Sequence, residues 1–209
     1  MKKIQKRLLS LVLAVAMVLS MSMSVFASET TSPRTVKVKF FINQECLTTG
    51  EVPSGYTTYS DAYLESATFT VNIDQITGCP VQKPDGFKGL FDIDGIDYVP
   101  TAFDAIYNAA VTQKGETNQD FVYGFDTQYT KPHENGIYVQ KLSGLGTETL
   151  ESTDSYWFGT SWAFYVVPGD EFDPANPDET YKSDYYPNNV DLQAGKTYYM
   201  VYDYSVANW

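Results

Sequence analysis

The residues best suited to chemistry are acidic, sulfur-bearing or aromatic. Asp92, Asp94 and Asp97 surround Gly95 in the run Asp-Ile-Asp-Gly-Ile-Asp. Several carboxylates about a tight glycine turn are what a hard cation such as calcium requires. An EF-hand register set on Gly95 would begin at Leu90 and end at Thr101, so both key carboxylates are missing. An aspartate-rich turn is therefore the preferred reading. Asp170, Glu171, Asp173, Asp178 and Glu179 form a second acidic group. It reads as a solvated loop, because its spacing fixes no coordination geometry. Calcium is the one cofactor these residues allow.

Cys46 and Cys79 are the two cysteines, 33 residues apart. Pairing would stabilise the chain by about 3.7 kcal/mol through loop closure. A simple hairpin of the flanking strands would put the two thiols at opposite ends, beyond disulfide reach, unless a connector folds back. Both outcomes stay open. The single histidine, His133, lies in a Lys-Pro-His-Glu-Asn-Gly turn. No Gly-x-Ser-x-Gly elbow, Cys–His pair or phosphate loop is present,. Two carboxylates could hydrolyse a glycosidic bond, but among 26 acidic residues some pair always looks suggestive. No catalytic residue is assigned.

Aromatic side chains are the remaining chemistry. Seventeen tyrosines offer rings that pack on sugars and apolar ligands and hydroxyls that stay wet. Trp162, Phe164 and the run from Tyr198 to Tyr202 fit strand interiors. Tyr181, Tyr185 and Tyr186 lie in a loop, and with Ser143 and Gly144 of a glycine turn they are the candidate ligand contacts.

These residues must be positioned by the elements around them. Lys2, Lys3, Lys6 and Arg7 precede an apolar run from Leu8 to Val18, and a small-residue stretch ends in Val25-Phe26-Ala27. That order predicts a removable signal helix over residues 1–27 and export. The run is shorter than the roughly 20 residues a bilayer span needs. Residues 28–34 read as a linker and 35–209 as a single domain. Of 14 basic residues four leave with the leader, so the mature chain has 10 against 26 acidic ones, a net charge of −16. Such a chain is no nucleic-acid binder and repels anionic surfaces.

Alternation predicts strands over residues 35–43, with Val36, Val38, Phe40 and Ile42 inside, and over 67–73, antiparallel to the first,. Residues 44–66 read as a long loop. The period then changes: Phe103, Ile106, Tyr107, Ala110 and Val111 form a helical stripe,. Thr101 is the N-cap candidate, Asp104 the first-turn carboxylate and Gly115 the stop. Loop with some short strand is expected over 116–135. Further strands are expected over 136–146, over 160–167 as a central strand apolar on both faces, and over 197–205. Residues 168–189, rich in proline, acid and tyrosine, read as a long exposed excursion.

The C-terminal half resembles the bacterial extracellular domain of unknown function DUF4430, which is similar to the C-terminal domain of transcobalamin. Thr101, Asp104 and Ala105 match its helix start. Leu142, Gly144 and Leu145 match its Gly-Leu strand. Trp162, Phe164, Tyr165 and Val166 match its Trp-aromatic strand. Ala194, Gly195, Lys196, Tyr199, Val201 and Tyr202 match its last turn and strand. Two departures stand out: Pro168-Gly169 and a long acidic insertion replace an Asn-Gly turn, and Gly195-Lys196 replaces Gly-Asp. The resemblance implies an α+β, β-grasp-like mixed sheet packed on one main helix. It does not imply cobalamin binding by this domain alone. The expected function is a secreted or cell-surface module that contacts a small molecule, glycan or surface protein. The alternatives are a carboxylate-based hydrolase and a purely structural or adhesive protein.

Overall fold

In the computed structural model the described residues are 32–76, 100–126 and 136–209. The signal segment 1–27, Cys79, Asp92, Asp94, Asp97 and His133 lie outside them. Among the described residues ten strands and one short helix make a mostly β, mixed α+β fold. Residues Pro33–Trp209 form one compact unit.

Strand β1 is Thr35–Asn43, within the span its alternation predicts. The loop expected over 44–66 instead holds a hairpin, β2 (Tyr56–Thr58) and β3 (Tyr63–Ser66). These strands are too short to show a period, yet Tyr56, Tyr63 and Leu64 bury their side chains and hold them in place. Strand β4, Phe69–Asn72, pairs antiparallel with the first half of β1, and β3 pairs with the second half. Across β1 on its other side runs the last strand, β10 (Lys196–Asn208), parallel to it from Lys37↔Thr197 to Ile42↔Tyr202. Next comes β9 (Tyr156–Pro168), antiparallel to β10 over its whole length, and then β8 (Glu148–Thr153) at the edge. The span expected as a central strand, 160–167, is paired along its length by β10 on one side only, since β8 reaches no further than Thr160; β8 itself has no signal in the sequence because every residue of it is exposed. A smaller sheet joins β5 (Val122–Asp126), β6 (Gly136–Leu142) and β7 (Leu145–Gly146).

The helix α1, Ala102–Tyr107, continues as π-helical turns over Asn108–Gln113. In that wider winding Gln113 Nε2 donates to Asn108 Oδ1, five residues back, at 3.0 Å. The Asp104 carboxylate accepts both the backbone N–H of Thr101 at 2.8 Å and its hydroxyl at 2.9 Å. This closes the helix start as the sequence predicts. Gly115, at φ 79°, ends it,. Alanines 102, 105, 109 and 110 are buried beside Phe103 and Ile106, and such small side chains permit close approach.

Two apolar clusters result, one on each face of the large sheet. Val36, Val38, Phe40, Ile42, Phe164, Met200 and Tyr202 join the helix in the larger. Phe41, Tyr63, Tyr165, Val167, Tyr199 and Val201 form the smaller, with Phe172 and Tyr181 packed on it from the 169–195 connection. The excursion expected over 168–189 is therefore not simply solvated: part of it covers a sheet face. Among the described residues no helix is long and apolar enough to cross a membrane.

Candidate functional site

A cleft of about 740 Å³ opens between β6, the free edge of β9 and residues 182–189. Its existence follows from how β9 runs out of partners. Strand β8 stops at the Glu148↔Thr160 pair. Further along, the connection returns to bridge Tyr165 with Lys182, and the Ser183 N–H donates to the Phe164 carbonyl at 3.0 Å. Between these attachments Ser161, Trp162 and Ala163 line the cleft.

Two tyrosine–glycine couples shape its floor. Gly124 on β5 lies opposite Tyr138 on β6. A Cβ at Gly124 would fall 2.4 Å from the Tyr138 ring, so the ring rests where a side chain would stand and shows 38% of its surface to solvent. Gly136 does the same for Tyr186, whose ring would lie 2.0 Å from a Cβ there. The Tyr186 hydroxyl donates to Asp126 Oδ2 at 2.5 Å. Two positions on, the buried Asn188 side chain accepts the Ile137 N–H at 2.6 Å. These contacts strap the 186–189 segment to β6. Tyr185 is left at the rim, 63% exposed, with its own N–H donating to Ser183 Oγ at 3.2 Å and its carbonyl accepting from that hydroxyl at 3.0 Å. At the back, Trp162 is anchored by donating its indole N–H to the Leu145 carbonyl at 2.9 Å.

The lining is polar as well as aromatic. Ser161 Oγ and Ser205 Oγ lie 2.6 Å apart, and Thr147 and Asn189 add further polar groups. Lys182 and Asp184 are the charged residues among the described lining. A hydrolase of the two-carboxylate type needs a second carboxyl group facing the first, and Asp184 has none among these residues.

The sequence candidates separate. Tyr185 and Tyr186 line the cleft, one exposed and one built into its wall. Tyr181 packs instead on the second sheet face, with Phe172 and Tyr165. Ser143 and Gly144 form the two-residue turn between β6 and β7 at φ 55° and 78°, the left-handed pair that tight hairpins require. Neither lines the cleft, because the Ser143 hydroxyl is spent elsewhere. It donates to Glu116 Oε1 at 2.6 Å, receives the Lys114 ammonium at 3.0 Å and lies 2.8 Å from the Tyr56 hydroxyl. Lys114 pairs with Glu116 at 2.6 Å and sits 5.1 Å from the Tyr56 ring centroid. Burial pushes the Tyr56 phenol well above its ordinary pKa. This knot fastens the helix end to the β6–β7 turn.

Cys46 is buried, and burial together with Asp203 and Glu45 pushes its thiol up to about 12; its proposed partner Cys79 is outside the described residues. The calcium candidates Asp92, Asp94 and Asp97 are likewise outside them. Among the described residues no group of three His, Cys, Asp or Glu side chains could hold a metal. A shallower hollow of about 470 Å³ lies on the other face, between Lys39, Tyr59, Phe172 and Tyr199. Its rings are already in mutual contact, with Phe172 and Tyr199 stacked at 4.4 Å.

Sequence reading missed Tyr138, Gly124 and Gly136 as site residues. A glycine inside a strand does mark close approach by another group, but the approaching tyrosine is revealed only by the register. Comparison with known proteins gives no match among family models, curated proteins or solved structures.

Proposed function

We propose that the chain is a secreted, non-enzymatic binding module that presents a ligand cleft on a β-grasp-like scaffold. The observation that carries this reading is the cleft itself. It has an aromatic floor, a polar lining and an exposed tyrosine on a strapped loop, the mixture typical of small-molecule sites. The scaffold reading is supported by the first and last long strands, β1 and β10, lying parallel at the centre of the sheet, with the helix between them in the chain and packed in the same core. It is also what the resemblance to DUF4430 and the transcobalamin C-terminal domain implies. Secretion rests on the leader-like residues 1–27 and the acidic mature chain.

Two measurements test this. Mass spectrometry of the exported protein should find a new N-terminus at Ser28. Ligand titration of the mature chain should show saturable binding that falls when Tyr185 becomes alanine, with no turnover of the ligand. Turnover abolished by replacing a single carboxylate would favour the hydrolase reading. An adhesive role has one observation in its favour: Leu150, Val206 and Trp209 are exposed on the β8–β9–β10 end of the sheet. Cell attachment that survives Tyr185→Ala but not Val206→Asp would support that role.

A further inference from the structure

We propose that the cleft takes a neutral oligosaccharide, with Tyr138 and Tyr185 as its stacking platforms. This rests on the reading of the chain as a binding module and gives that site a ligand class. The first reason is the form of the platforms. The inner side of the Tyr138 ring is occupied by the bare backbone of Gly124, so its orientation is fixed while its outer side meets solvent. A sugar ring has one face of C–H groups and an equator of hydroxyls, and it needs such a flat, half-wet aromatic surface. Tyr185 is exposed, and its backbone is held by Ser183 on one side and the strapped Tyr186 on the other. An exposed tyrosine on a held backbone has only two side-chain torsions to lose on binding.

The second reason is the polar lining. Thr147, Asn189, Ser161 and Ser205 are among the lining residues, and their polar side chains can both donate and accept, as sugar hydroxyls require. The charged lining residues, Lys182 and Asp184, are of opposite sign. The described lining residues offer no surplus of cations for a phosphate or uronate, and a chain of formal charge −12 repels anions at a distance,. The third reason excludes the main competitor. A peptide that adds to a sheet edge needs a run of unpaired backbone. Here the open edge spans only Ser161 to Ala163, between the Thr160–Glu148 pair and the Phe164–Ser183 hydrogen bond.

Calorimetric titration of the full mature chain with cello-, xylo-, manno-, malto- and chito-hexaose, and with tetragalacturonate, tests the proposal. At least one neutral hexasaccharide should bind saturably. Tyr138→Ala and Tyr185→Ala should each weaken it at least tenfold, and Tyr138→Phe should weaken it less than threefold. Gly124→Val, which displaces the Tyr138 ring, should weaken it without shifting the unfolding midpoint by more than a few degrees. Sugar binding that these variants leave intact overturns the site assignment. Binding of tetragalacturonate alone overturns the neutral class. If no sugar binds but a random tetrapeptide mixture is retained by the wild type and lost in Tyr185→Ala, the sugar proposal falls and the binding-module reading stands. If neither binds, both fall.

Discussion

The two faces of the large sheet are covered by different means. On one face a helix lies over Val36, Val38, Phe40 and Ile42, and alanines bring it close. On the other a connection without long regular structure reaches across and lays Phe172 and Tyr181 over Phe41, Tyr165 and Tyr199. A helix satisfies its own backbone and can cover an aliphatic surface. Tyrosines stand on both faces, Tyr56, Tyr198 and Tyr202 with the helix and Tyr63, Tyr165 and Tyr199 beneath the loop, with their rings buried. Tyr63 donates to Asp203 Oδ2 at 2.5 Å, and Tyr199 donates to the Asp170 carbonyl at 3.1 Å. The same connection then continues to the cleft, so one segment both completes the core and presents Tyr185.

The difference can be broken most forcefully at Phe40. It is fully buried on the helix face, and Phe40→Ala should cost about 3–5 kcal/mol in denaturant unfolding. The helix has a polar anchor as well as an apolar one. Ser143→Ala strands Lys114, Glu116 and Tyr56 without their shared hydroxyl, and a loss of about 1–3 kcal/mol is expected. Phe172→Ala removes a half-buried ring from the looser face and should cost about 1–2 kcal/mol. If Phe172→Ala proves as costly as Phe40→Ala, the two coverings are equivalent and the contrast fails.

Alkaline pH should probe the buried tyrosines of both faces without mutation, because burial raises Tyr56, Tyr198 and Tyr202 on the helix face as well. Burial, reinforced by Glu179 and Asp203 at Tyr165 and by Asp170 at Tyr199, pushes both phenols from 10.0 up to about 12. Burial also raises Tyr63, hydrogen-bonded to Asp203. The folded state thus prefers the protonated phenol more than the unfolded state does. The stabilisation is complete below pH 10 and is lost as pH rises from 10 to 12,. Absorbance at the phenolate band should show these tyrosines ionising late and together with unfolding. Ionisation of every tyrosine near pH 10 in a folded protein would contradict it. The smallest effect belongs to Tyr185→Ala, which should leave stability within about 0.5 kcal/mol while removing ligand.

Much of this scaffold was legible in the chain. Val36 to Ile42, the 103–111 stripe with its Thr101–Asp104 start, and the two-sided run from Trp162 to Val167 carry their periods openly, because each is packed against something apolar. The β2–β3 hairpin was not legible, since three- and four-residue strands are too short to display alternation. Strand β8 was not either, since all its side chains are exposed. Part of the site was visible. Loop position singled out Tyr181, Tyr185 and Tyr186 alike; the fold sets Tyr185 and Tyr186 against the cleft and turns Tyr181 onto the opposite face. Ser143 and Gly144 were visible as a turn, whereas the use of the serine hydroxyl depends on Tyr56, Lys114 and Glu116, which only folding brings together. Gly124 and Gly136 acquire meaning from cross-strand and loop partners that no local pattern reveals.

The most direct test of the cleft is a crystal structure of the mature chain with the tightest neutral hexasaccharide. A sugar ring stacked face to face on Tyr138, with its hydroxyls toward Thr147 or Asn189 and Tyr185 against a neighbouring unit, is the expected result. A sugar seated instead in the hollow between Tyr59, Phe172 and Tyr199, with the Tyr138 face bare, would contradict it.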